Sequence, residues 1–158
     1  ALRLGYLVVP DSMVDVFAAA GSVSTHHPPL LDQAVLCDFI TDGYFARHIR
    51  RMRELYAERL AALLEAAQQT LSEFLQISSV EAGLQTIGWL KAGIDAEEAA
   101  AAAADNDVEV IPLRSYAWGR ARKRGVVLGF AAVDPREIRA GVARLKAALQ
   151  PLRPRERP

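Results

Sequence analysis

Cysteine is almost missing from this 158-residue chain: Cys37 stands alone. No disulfide can close within the chain, and a thiolate metal site would need residues from another one. That excludes a small disulfide-held scaffold and makes a reducing cytoplasm the expected setting. Histidine is also scarce. His26 and His27 are neighbours in a proline-bounded loop, without the i, i+4 spacing of a helical ligand pair, and no metal site is expected. Excess charge is missing as well, since 19 Lys and Arg balance 19 Asp and Glu. That balance argues against a whole-chain grip on nucleic acid or on an anionic membrane. No apolar run is long enough to span a membrane. The opening residues 1–9 lack the basic segment and cleavage site of a signal peptide. They also lack an initiator methionine and begin directly in strand-like sequence, so the chain is expected to be cut from a larger protein. Ser115 has no Gly-x-Ser-x-Gly elbow around it, and Gly83 and Gly88 do not form a dinucleotide fingerprint.

What is present is apolar material, 51% of the residues, enough for a sizeable core. Leu2 to Val9 reads as a strand stopped by Pro10. Asp11 or Ser12 then caps a helix to about Ala20, ended by Gly21. A second helix is predicted over Leu30 to Thr41, after the amide-free Pro28 and Pro29. Gly43 interrupts, and a long helix follows from Tyr44 to Leu75, with Phe45, Ile49, Met52, Tyr56, Leu60 and Leu63 on one stripe. Beyond Gln76 the texture changes. Strands are predicted at Val80 to Leu90, Val108 to Leu113 and Val126 to Val133. Asp95 caps a helix to about Ala104, and Asp134-Pro135 opens a last helix to Leu149. The order implies an α+β unit, a small antiparallel-rich sheet with helices on one face. The first strand has no partner within the chain and would be an exposed edge.

Three segments carry a resemblance: Leu2-Arg3-Leu4-Gly5-Tyr6; Gly43-Tyr44-Phe45-Ala46-Arg47-His48-Ile49-Arg50-Arg51-Met52-Arg53 with Tyr56 and Arg59; and Val126-Val127-Leu128-Gly129-Phe130-Ala131 with Glu137-Ile138 and Gly141-Val142. Together they resemble the C-terminal part of fold-type I aminotransferase-like domains that use pyridoxal phosphate, most closely those of MocR-type regulators in the GntR family. The middle segment is the most specific, and the resemblance extends to about Leu149. It implies a remnant of the large cofactor-binding domain at 1–25, a C-terminal small domain with its linking helix at 26–150, and a disordered tail at 151–158. It further implies pyridoxal phosphate in the intact protein and a homodimer. A small amino compound would be the effector or substrate, and DNA would be bound only through an upstream winged-helix domain. The alternative is a stand-alone aminotransferase acting on amino acids and 2-oxo acids. A third possibility is a folded interaction domain without a ligand.

The lysine that would hold the cofactor is expected upstream of Ala1. Lys91, Lys123 and Lys146 lie in the wrong segments, so no catalytic residue is assigned and the chain alone should neither bind the cofactor covalently nor transaminate. By the resemblance Arg3 would bind the cofactor phosphate, as suits a planar guanidinium fork; without it, Arg3 would be a strand-end arginine in a surface ion pair. The resemblance puts the substrate-carboxylate arginine at the position of Val127. That departure shifts the task to Arg114 or Arg124, either of which could equally be a solvated loop residue. The arginines from Arg47 to Arg53 spread around a polar helix face with no aromatic platform expected beside them, which reads as a solvated or interdomain face. Trp89 and Trp118 could line a pocket, although large aromatics more often belong to a core.

Overall fold

The computed structural model describes residues 4–24, 29–78, 80, 83–117 and 124–152. The chain divides after Arg51 into two compact units.

In the first unit, residues 4–10 form no strand. A strand needs a ladder partner for its amides and carbonyls, and among the described residues none of the four strands pairs with this segment. The Met13 amide donates to the Pro10 carbonyl at 2.8 Å, making a 3-10 turn that leads into helix α1, Val14–Ser24. Gly21 does not end α1; it lies within the helix. Helix α2, Leu30–Thr41, follows Pro29 as the sequence predicts. Gly43 then turns the chain at φ +78°, a left-handed conformation that a side chain would strain. Helix α3, Tyr44–Thr70, starts there, and the division between the units falls within it.

The second unit contains the sheet. Helix α3 stops at Thr70 because the Leu71 carbonyl accepts the amides of both Phe74 and Leu75, each at 2.9 Å. Leu75–Ile77 then forms strand β1, which the helical stripe had masked in the sequence. Strand β2 is Gln85–Leu90, shorter than the predicted strand from Val80. Helix α4, Ala96–Ala104, is capped as expected: the Asp95 carboxylate accepts from the amides of Glu97 and Glu98 at 2.9 and 3.2 Å. Strand β3 is only Ile111–Pro112, and strand β4 is Gly125–Gly129. Helix α5, Pro135–Leu149, starts with a capping box. Asp134 Oδ1 accepts from the amides of Arg136 and Glu137, and Glu137 Oε2 accepts from the Asp134 amide.

The sheet order is β1-β2-β4-β3, with every pairing antiparallel. Register places Leu75, Ile77, Thr86, Gly88, Leu90, Val126 and Leu128 on one face. That face belongs to the core with Ala62, Leu63 and Ala67 of α3, Ala99 and Ala103 of α4, and Ile138, Val142, Leu145 and Leu149 of α5. Gly88 admits the close approach of Leu128 and Leu75, whose methyls would lie 3.2 and 3.4 Å from an added Cβ. Thr86, the buried polar residue of this face, donates its hydroxyl to the Ser78 carbonyl at 2.7 Å. The class is α+β, as expected.

Candidate functional site

Arg3 lies outside the described residues, as do His26, His27, Trp118, Lys123 and residues 153–158. Arg114 stands on a 3-10 turn, Leu113–Tyr116, directly after β3. Its Nε donates to Glu97 Oε1 at 2.7 Å, which joins the turn to the first turn of α4. Both side chains are largely exposed, so this pair contributes little to stability. Arg124 is also exposed, just before β4, where its carbonyl accepts the Leu90 amide at 3.0 Å. Arg114 is thus held by a carboxylate, and no ion pair engages Arg124 among the described residues.

Val127 occupies the centre of β4 on the sheet face opposite the core. In register it lies between Ile87 of β2 and Ile111 of β3. All three are half-buried, so the position is the middle of an aliphatic row. Trp89, on the same face, is 38% exposed. Its Nε1–H donates to Ser78 Oγ at 2.9 Å. It lies against Gly125, where a Cβ would come 3.3 Å from the indole and 3.2 Å from Ile87. Gly125 therefore makes room for an aromatic surface fixed by Ser78. Of the two roles the sequence offers Trp89, the core is not the one it takes, since the ring is part-exposed on the face opposite the core.

Lys91 is exposed at the end of β2 and Lys146 is half-buried on α5. Arg3 lies outside the described residues, so no chemical step through a phosphorylated pyridine cofactor is derived for them. No three His, Cys, Asp or Glu side chains among them gather to hold a metal ion. None of the described helices is long and apolar enough to cross a membrane.

Rings do accompany the arginine run, against the sequence expectation. Phe39 stacks on Tyr44 with centroids 6.0 Å apart, meets Phe45 edge-on at 6.5 Å and lies 6.4 Å from His48. The Arg47 guanidinium sits 5.6 Å over the Tyr44 ring. Spacing along one helix does not show this cluster, because Phe39 comes from α2 and the other rings from α3. In the second unit, Arg59 serves the fold: its Nη1 donates to the Ala131 carbonyl after β4, while its Nε is buried without a partner. Asp134 lies nearby. The amides of Glu137 and Arg136, in that order, hold its carboxyl below the ordinary value of 3.8.

No family model matches the chain. It is 37% identical over 148 residues to the probable rhizopine catabolism regulatory protein MocR of Rhizobium meliloti, covering 94% of this chain and 30% of that protein. It is 32% identical to the uncharacterized HTH-type transcriptional regulator YhdI of Bacillus subtilis, covering 96% of this chain and 32% of the regulator. The chain therefore spans about a third of the length of these relatives. Among solved structures it superposes on LysN, the alpha-aminoadipate aminotransferase of Thermus thermophilus, with a TM-score of 0.88 and 24% identity, over 96% of this chain and 39% of LysN. That likeness speaks for the fold alone. Sequence and fold agree that this chain is the C-terminal part of a fold-type I, pyridoxal-phosphate aminotransferase-like domain of the kind carried by MocR-type regulators of the GntR family.

Proposed function

We propose that the chain is the C-terminal portion of an effector-sensing and dimerisation domain in a cytoplasmic MocR-type transcription regulator. The observation that carries this reading is the 37% identity to a regulator over 94% of the chain. The intact protein would bind pyridoxal phosphate through a lysine upstream of Ala1 and sense a small amino compound. It would act as a homodimer and reach DNA only through an upstream domain. Residues 1–25 would belong to the large domain and 26–150 to the small domain; the tail expected from residue 151 begins later, since Gln150–Leu152 forms a 3-10 turn and Leu152 packs on the core.

Arg3 is the proposed phosphate ligand, because a guanidinium presents a rigid fork of donors to an anion. Arg114 and Arg124 are the proposed effector contacts. Arg114 suits the role through its place on the turn directly after β3, where its Nε donates to Glu97 Oε1. The aliphatic row around Val127 supports an effector whose recognition differs from that of an ordinary amino-acid substrate.

The test is the intact mass and N-terminal peptide sequence of the native protein, followed by DNA binding and transaminase assays on that form. A much longer chain, with a basic winged-helix segment ahead of the cofactor lysine and specific DNA binding, is the expected result. A longer chain with the lysine, no such segment and turnover of an amino acid to its oxo acid would replace the regulator by a stand-alone aminotransferase. A native chain beginning near Ala1 would remove both activities and leave an interaction domain.

A further inference from the structure

We propose that the second unit holds a ligand site of its own, a groove for an organic cation with an apolar body: a primary amine on an aliphatic or aromatic skeleton. The proposal is independent of the regulator reading and of pyridoxal phosphate.

The groove, half open to solvent, offers about 350 Å³ between the end of α3, the turn that follows α4, strand β4 and helix α5. That volume lies within the range of small-molecule sites. Leu71, Leu128, Val142 and Leu145 are buried beneath it, and Val108 and Val133 line it half-buried. The ligand's body would therefore meet apolar surface.

Gly141 also lines the groove, from the interior of α5. A helix-interior glycine costs stability relative to alanine and normally has a steric reason. Here a Cβ would meet no heavy atom within 4 Å, so the packed helix does not require the glycine. Its backbone is not in the left-handed region either. What Gly141 does is keep the α5 wall of the groove low. Gly129 lines the same groove, and a Cβ there would likewise meet nothing within 4 Å.

Charge sets the ligand class. Asp107, Glu109 and Glu137 line the groove with one guanidinium, that of Arg144. No ion pair joins Asp107, Glu109 or Arg144 to another described residue. Glu137 already accepts the Asp134 amide, which leaves Asp107 and Glu109 as the uncommitted carboxylates. Three acidic residues against one arginine, all exposed along the rim of the groove above its apolar floor, favour a cation. Arg144 also provides a place for a ligand carboxylate, so the ammonium could belong to a simple amine or to an apolar amino acid.

The experiment titrates the 158-residue chain with phenethylamine, with phenylalanine and with the neutral 2-phenylethanol, followed by NMR shifts of residues 105–110 and 137–145. Saturable binding of the amine is expected, with the alcohol about tenfold weaker or more. Gly141→Leu should fill the groove and abolish binding while keeping or raising Tm, since leucine is the better helix former. Asp107→Asn with Glu109→Gln should weaken the amine about fivefold or more without altering the buried core. Binding of both cations would assign the amino-acid class, and binding of the amine alone the simple amines; either supports the site. No saturation by either cation at low millimolar concentration, an alcohol as tight as the amine, or unchanged binding in Gly141→Leu would overturn it.

Discussion

Every buried side chain among the described residues lies between Ala62 and Leu149, all in the second unit. The first unit leaves Tyr6, Leu7, Val8, Phe17, Leu30, Leu31 and Val35 exposed, although it is as rich in apolar residues. Helix α2 makes the contrast sharpest. Leu30, Leu31, Val35, Leu36, Phe39 and Ile40 surround its axis instead of forming a stripe, and a helix apolar all round belongs in an interior. Helix α5 has one stripe, Ile138, Val142, Leu145 and Leu149, and buries it. The difference teaches that composition supplies the material of a core, while a second layer is needed to enclose it. The sheet is that layer in the second unit. The described part of the first unit has helices and no strand.

The largest test of this contrast replaces equivalent rings in the two units. Phe74 and Phe130 are each 1% exposed, and truncating either to alanine is expected to cost about 3–5 kcal/mol. Phe17→Ala, at a ring 43% exposed, should stay within about 0.5 kcal/mol. Urea unfolding followed by far-ultraviolet circular dichroism reads the helices of both units, while the fluorescence of Trp89 follows the second. Equal losses from Phe17 and Phe74 would show that the first unit has a core after all.

Overpacking is the next test. Gly88→Val places methyls against Leu128 and Leu75, where a bare Cβ is already 3.2 Å from the nearer one. The expected cost is about 1–3 kcal/mol in the same fluorescence transition. Gly21→Ala, in the first unit, meets nothing within 4 Å and should be tolerated. A Gly88→Val protein as stable as the parent would mean that the sheet and its helices are not closely packed.

Much of this architecture was legible in the sequence, and the exceptions have physical causes. The stripes of α3 and α5 and the caps at Asp95 and Asp134 are local patterns, readable from spacing alone. Strand β1 was hidden because Leu71, Phe74 and Leu75 continue the apolar spacing of α3 with no glycine or proline to mark its end. The strand expected over Leu2 to Val9 is not formed by its described residues, since β propensity cannot replace a ladder partner. Strand β3 came out short at Pro112, which has no amide to donate. For the sites, Arg114 was named from its position after a strand, but its partner Glu97 sits seventeen residues earlier and no spacing rule joins them. The groove at Gly141 needs α3, β4 and α5 together, so the glycine alone carried no signal.

A smaller effect is expected at Asp95, whose carboxylate satisfies two amides at the start of α4. Asp95→Ala should cost about 1 kcal/mol by the same urea measurement, and Asp95→Ser should recover most of it. No recovery with serine would mean that the side chain stabilises through its charge at the helix end and not as a hydrogen-bond acceptor.

The finest test uses pH. The amides of Glu137 and Arg136 favour the ionised form of Asp134 and hold its folded-state value below the ordinary 3.8. A carboxyl depressed on folding stabilises the protein at pH above its unfolded value, where it is ionised in both states. As pH falls below 3.8 the unfolded state takes up the proton first, and the contribution is lost through the folded value. The second unit should therefore lose stability on acidification in that window, read by tryptophan fluorescence. Asp134→Asn keeps an acceptor for the two amides and removes the titration, so its stability should fall less steeply over the same pH range. If the parent and Asp134→Asn curves stay parallel below pH 3.8, the acid sensitivity of the second unit arises elsewhere than at the start of α5.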